Sequence, residues 1–128
     1  MIIRMFKPQF APLVANGTKR QTIRPTPKRM PKVGERESWR KWSGLPYRTP
    51  TVELAQVTIK SVERICISET PNFYEVWLLD RPFNGALMQR EEWDRLAKDD
   101  GFDSMFALNE WFRATHGLPF EGILIQAQ

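Results

Sequence analysis

The apolar positions change period along the chain, from alternation in the first two thirds to helical spacing near the end. Residues 2–6 alternate, with Ile3 and Met5 on one face and Ile2, Arg4 and Phe6 on the other, which predicts a first strand. Pro8 ends it and suits the first turn of a helix. Phe10, Leu13 and Val14 recur at helical spacing until Asn16-Gly17, where glycine supplies the φ > 0 position that closes a helix. Thr22-Ile23 begins an extended run that Pro25 stops. A short strand is expected within 34–39, entered by a turn at Lys32-Val33-Gly34. The strongest strand region is 51–67. Val52 and Leu54 alternate, Val57 and Ile59 alternate in the opposite phase, and the slip at Ala55-Gln56 predicts a β-bulge that bends the sheet. Residues 62–67 continue as another strand or a bent extension. Cys66, between two isoleucines, reads as a small core residue. Tyr74, Val76 and Leu78 share a face within 73–79, and residues 80–85, with Pro82 and Asn84-Gly85, read as a turn.

From Leu87 the period becomes helical. Trp93, Leu96 and Ala97 mark one helix, closed by Gly101 in the left-handed conformation. Asp103-Ser104 caps a second, with Met105, Leu108, Trp111 and Phe112 on one face and His116-Gly117 at its end. Residues 122–127 form a last strand with Ile123 and Ile125 on one side. The 128 residues suit one domain with its own core, spanning 1–128, and the class is α+β.

Charge sharpens this picture. Residues 1–48 hold twelve Lys/Arg against two Asp/Glu, a net +10; residues 49–128 hold seven against thirteen, a net −6. Such a division fits a polyanionic partner, or else an acidic half that folds back to neutralise the basic one. The 25–50 stretch is a basic, Pro-rich loop in which Arg40, Lys41, Trp42, Tyr47 and Arg48 interleave rings with cations. Rings stack on bases and cations hold phosphate, so this is the composition of a single-stranded nucleic-acid or nucleobase surface. Trp39 reads as core; Trp42 and Tyr47 read equally as a barrel-end cap or a binding surface. One Cys and one His argue against a dedicated zinc site, and no metal or cofactor is called for. The single Cys66 and the lack of a secretory or membrane-spanning stretch fit a reducing cytoplasm.

The candidate chemistry lies in 17–24, Gly-Thr-Lys-Arg-Gln-Thr-Ile-Arg. Lys19, Arg20 and Arg24 stand beside two hydroxyls, and alternation would put Arg20, Thr22 and Arg24 on one face, with Lys19 bending toward it. This density of donors suits an anion site; the plainer readings are generic phosphate binding for Lys19 and Arg24, a strand-face hydroxyl for Thr22 and a solvated helix end for Asp100. Asp100, at a helix C-terminus, faces an unfavourable dipole that a lysine partner would explain.

The order of these features resembles an ASCH domain, a PUA-like β-barrel family linked to RNA. The resemblance rests on Gly17-x-Lys19-x-x-Thr22-x-Arg24 after a strand and helix, the Val33-Gly34 turn, curved strands, Ala97-x-x-Asp100-Gly101-Phe102, Trp111-Phe112 and a closing strand. It implies a small curved or closed PUA-like barrel with flanking helices. Members that hydrolyse N4-acetylcytidine use a Lys-x-x-Thr pair and a later acidic residue, usually Glu. Lys19 and Thr22 match the pair, and Asp100 would fill the acidic position with a carboxylate one carbon shorter. The expected function is therefore binding of RNA, single-stranded nucleic acid or a modified nucleoside, with amidohydrolysis of an N4-acetylcytidine-like substrate. Catalysis would fall to Lys19, Thr22 and Asp100, and binding to Arg20, Arg24, Arg40, Lys41, Trp42 and Tyr47. A non-catalytic RNA- or DNA-binding module and a metal-independent ribonuclease are the alternatives.

Overall fold

The structure, a computed structural model, describes residues 1–81 and 85–128. Its elements run β1 (Ile2–Met5), α1 (Ala11–Ala15), β2 (Gln21–Pro25), β3 (Arg36–Trp42), β4 (Thr51–Glu69), β5 (Tyr74–Leu78), β6 (Ala86–Leu87), α2 (Arg90–Asp99), α3 (Met105–His116) and β7 (Phe120–Ala127). The chain is α+β, with a mixed seven-stranded sheet: β1 pairs with β3 in parallel, and every other pairing is antiparallel.

The organising strand is β4. Its first half pairs with β3, and its second half pairs with β7 and β5. Nineteen residues at about 3.3 Å each are too long for one flat ladder over a small core. The strand bends at two register shifts. Trp39 pairs with Ala55 and Arg40 with Glu53, so Leu54 is the extra residue, next to the predicted slip at Ala55-Gln56. Ile59 pairs with Ala127 and Ser61 with Gln126, which leaves Lys60 as a second extra residue. Residues 62–67 are the continuation of this one strand. Cys66 corrects its expectation: it is half-buried on the face opposite Ile65 and Ile67, because a strand alternates.

Of three buried clusters among the described residues, one is Ile59, Ile123 and Ile125, and the other two bear on the site. One joins Ile65, Ile67, Val76, Leu78 and Leu124 to Leu96 of α2 and Leu108 and Phe112 of α3. The other seats α1, through Phe10 and Val14, on Phe6, Trp39 and Val57. Phe102 and Trp111 pack against both. Gly17 (φ 83°) and Gly101 (φ 95°) end their helices in the left-handed region, as predicted. Ser104 Oγ accepts from Ala107 N–H and caps α3, a contact worth about 1 kcal/mol.

Some boundaries differ. Arg40, Lys41 and Trp42 lie in β3 rather than in a loop, because they pair with Glu53, Val52 and Thr51 of β4. The two-residue β6 has no sequence signature and exists by pairing with β5. In the expected turn at 80–85, Asp80 accepts from the Arg64 backbone and side chain; Pro82, Phe83 and Asn84 lie outside the described residues. No described helix is long and apolar enough to cross a membrane.

Candidate functional site

The open edge of β1 faces β2, and what spans them is a side chain. Arg24 Nη2 donates to Met5 O at 2.7 Å, and Arg24 Nε donates to Thr22 Oγ1 at 2.8 Å. Thr22 and Arg24 therefore share a face of β2, as alternation requires. Their neighbours Gln21 and Ile23 are buried too, because α2 and α3 cover the other face. Where β1, β2 and α3 meet, a cavity of about 170 Å³ remains. Its polar lining includes Lys19, Thr22, Arg24, Asp100 and His116; its walls are the rings of Phe6, Phe10, Trp111 and Phe112.

Lys19 and Asp100, 81 residues apart, meet there. Lys19 Nζ donates to Asp100 O at 2.6 Å and lies 3.1 Å from Asp100 Oδ1. Both side chains are almost wholly buried, with 3% and 6% of their surface exposed. One ammonium thus satisfies the C-terminal end of α2 and the carboxylate that the helix dipole disfavours. Gln21 completes the arrangement: its Nε2 donates to Leu96 O at 3.0 Å and to Asp100 Oδ1 at 3.2 Å. Burial pushes the Lys19 pKa down against the pull of Asp100, and the Arg24 charge adds to the fall. Burial also pushes the Asp100 carboxyl up, against the Lys19 charge and the Gln21 hydrogen bond. The two groups are brought toward each other in proton affinity.

Arg24, like Lys7, lines the cavity without a direct ion pair among the described residues, although the Asp100 and Glu37 carboxylates act on its charge from further off. Burial, and then the Arg4 cation, bring its pKa down to about 10. Arg4 is itself matched, in a two-point bond to Glu37 at 2.8 and 2.6 Å, with Trp39 Nε1 donating to the same carboxylate. Among the described residues no carboxylate lies within salt-bridge distance of Arg24. The Phe6 ring, 4.8 Å from its guanidinium carbon, is its other neighbour. Lys19 Nζ lies 4.9 Å from the Phe10 ring, and Lys7 Nζ lies 5.0 Å from that of Trp111. The cavity is aromatic-walled and net positive. It suits a flat ring carrying an oxygen that is, or becomes, negative.

The sequence expectations divide. Lys19, Thr22, Arg24 and Asp100 converge on this cavity. Arg20 does not line it; its guanidinium lies beside Gly17, where an added Cβ would come within 3.4 Å of Nη2. Arg40 is held by Ser38 Oγ, Thr51 Oγ1 and Glu53, so its role is in the sheet. Lys41 and Trp42 line a separate groove on the far side of α1, and Tyr47 lies against Trp42 with ring centroids 5.1 Å apart. The 42–47 loop does not cover the cavity mouth.

Gln21, His116 and the aromatic walls were not singled out from sequence. Gln21 carried no signal beyond its place between Lys19 and Thr22, and His116 read as a helix end. His116 is exposed; the partial loss of water on its cavity side, and then Lys7, lower its pKa. The acidic half packs on the basic one through the β2–β7 and β3–β4 pairings, but few of its carboxylates neutralise basic side chains there. Among the described residues, the ion pairs joining the halves are Lys19–Asp100 and Arg40–Glu53. Comparison with protein-family models, curated proteins and solved structures finds no match to this chain.

Proposed function

We propose that the cavity binds the base of a nucleoside or nucleic acid, and that the chain is an ASCH-type amidohydrolase removing the acyl group of N4-acetylcytidine-like substrates. The observation that carries this reading is the half-buried Arg24 guanidinium, with no carboxylate in salt-bridge distance among the described residues, beside Thr22 and the Lys19–Asp100 pair in an aromatic-walled cavity. At about 170 Å³ the cavity is below the usual 300–1,000 Å³ of small-molecule pockets, so a base or acyl group enters and the sugar stays outside. On the same reading the fold is a PUA-like barrel. The twice-bent β4 curves its sheet, and Arg24 holds the β1–β2 seam in place of a backbone ladder.

In the proposed reaction Thr22 Oγ1 attacks the acyl carbon and its proton passes to the Lys19 amine. Lys19 is suited to this because its proton can rest on Asp100. Arg24 stabilises the oxyanion. The tetrahedral adduct then expels the cytosine amine, which takes the proton back from Lys19. Water then attacks the acyl-threonine and gives its proton to Lys19; the adduct expels Thr22 Oγ1, which takes that proton back, and the acyl group leaves as the free carboxylic acid.

A second reading is a binding module without turnover. Its support is that Thr22 Oγ1 is held by Arg24 and Lys19 Nζ is held by Asp100, an arrangement suited to holding a ligand. Incubation with N4-acetylcytidine and chromatography for cytidine separates the two. The first reading expects turnover that Thr22→Ser retains and Thr22→Val abolishes. Turnover that persists in Thr22→Val refutes the assignment of the nucleophile; saturable binding without turnover selects the second reading.

A further inference from the structure

The groove behind α1 has chemistry of its own. Pro8, Ala11 and Ala15 of the α1 segment form one wall and Trp42 the other, around about 410 Å³. The small side chains leave a slot beside the indole. Tyr47 extends the same aromatic surface. It is 89% exposed and holds φ at +62°, a conformation that non-glycine residues rarely adopt. The loop that holds it is tightly bonded. Thr49 Oγ1 accepts from Gly44 N–H and donates to Leu45 O, and Arg48 N–H donates to Leu45 O. A large ring kept in a strained conformation, facing solvent, contributes little to a core; strain of this kind collects at binding sites.

The charges around the groove identify its occupant. Residues 38–52 contain Arg40, Lys41 and Arg48 and no acidic residue. Arg40 is neutralised by Glu53. Among the described residues Lys41 and Arg48 have no carboxylate within salt-bridge distance. An aromatic shelf with unmatched cations fits a stacked base followed by its phosphate. The groove is also aligned with the cavity. Met5 pairs with Arg40; Trp42 lies two residues further along β3, and Lys7 lies two residues past Met5, just beyond the end of β1. The short helix α1 separates the two sites: Lys7 and Phe10 line one, Pro8 and Ala11 the other. A helix is about 10 Å across, a span that a short extended single strand can bridge.

We infer that Trp42 and Tyr47 form a second base-stacking site, so that the ligand is a single-stranded oligonucleotide with one base in the Arg24 cavity and a neighbouring base on this shelf. The inference rests on the cavity reading for the position of the first base alone. It makes a polymer, rather than a free nucleoside, the preferred ligand.

The test compares binding of fluorescein-labelled rC8 and dC8, by anisotropy, with binding of unlabelled cytidine monophosphate, by competition. The octamers bind more tightly than the mononucleotide, and more weakly as salt rises. The ratio of octamer to mononucleotide affinity falls about 5- to 100-fold in Trp42→Ala and in Tyr47→Ala. Tyr47 is exposed, so its variant keeps the test valid if Trp42→Ala does not fold. Arg24→Met weakens both ligands and leaves the ratio unchanged. An octamer no tighter than the mononucleotide, or a ratio unmoved by Tyr47→Ala and Trp42→Ala, overturns the inference. A ratio that falls with Tyr47→Ala while Arg24→Met changes neither affinity supports the shelf and refutes the cavity reading.

Discussion

Replacing Lys19 by Met isolates Asp100 in its buried site, and the cost can be worked from proton counts. In the native pair one proton is shared: ammonium with carboxylate, or amine with carboxylic acid, hold the same number. The unfolded chain holds that number too between about pH 4 and 10. The pair therefore adds no pH dependence over that range, wherever the proton rests. In Lys19→Met, Asp100 retains the Gln21 Nε2 donor but no ammonium. The carboxyl either stays charged, at about 3–5 kcal/mol, or takes up a proton. Taking up a proton at pH 7, about three units above the unfolded value of 3.9, costs about 4 kcal/mol; at pH 5 it costs about 1.5 kcal/mol. The lost hydrogen bond to Asp100 O adds about 1 kcal/mol at either pH. In the variant the folded pKa lies above the unfolded one. The contribution of Asp100 is then intact below about pH 4 and lost as pH rises. Urea unfolding of both chains, followed by tryptophan fluorescence at pH 5 and 7, gives the penalty directly. The expected penalty is about 2.5 kcal/mol larger at pH 7 than at pH 5. An equal penalty at the two values, or one below about 1 kcal/mol at pH 7, refutes the reasoning.

Other sites give independent tests. A Cβ on Gly122 would lie 2.1 Å from Arg24 O across the β2–β7 pair, so Gly122→Ala should cost more than about 2 kcal/mol and weaken ligand binding by moving Arg24; an unchanged melting temperature contradicts this. His116 titrates below its ordinary 6.5 in the folded chain, so its contribution is present above that value and lost as pH falls. His116→Phe, which keeps a ring against Phe112, should flatten the fall in melting temperature between about pH 7 and 5, and an equally steep fall counts against it. Glu37→Gln leaves Arg4 without its buried partner and should cost about 3 kcal/mol by calorimetry at pH 7; a loss under about 1 kcal/mol would show the pair to be dispensable.

Local features of the sequence read well, and contacts made across the fold did not. Gly17 and Gly101 were legible because a left-handed helix end favours glycine. Thr22 and Arg24 shared a face because a strand alternates, and the bulge at Leu54 lies beside the phase slip that predicted it. Asp100 was suspected because its carboxylate stands against a helix dipole. What could not be read was which elements meet. Lys19 and Arg20 are adjacent cations, yet only Lys19 reaches α2, because its ammonium completes that helix end. Composition reads Trp42 and Tyr47 as a barrel-end cap or a binding surface and leaves open which element they lie beside. The parallel pairing of β1 with β3 carries them to the other side of α1, and pairing partners have no local signature. Trp111 and Phe112 were legible as an apolar stripe; that their edge also walls a cavity depends on how α3 meets β1 and β2.

The central claim is that the cavity holds an acylated cytosine against Arg24, whether or not Thr22 then reacts with it. Calorimetric titration of N4-acetylcytidine into Thr22→Val measures binding without turnover. The account predicts saturable binding of one ligand per chain, lost when Arg24→Met is added. No binding, or an affinity indifferent to Arg24, would contradict it.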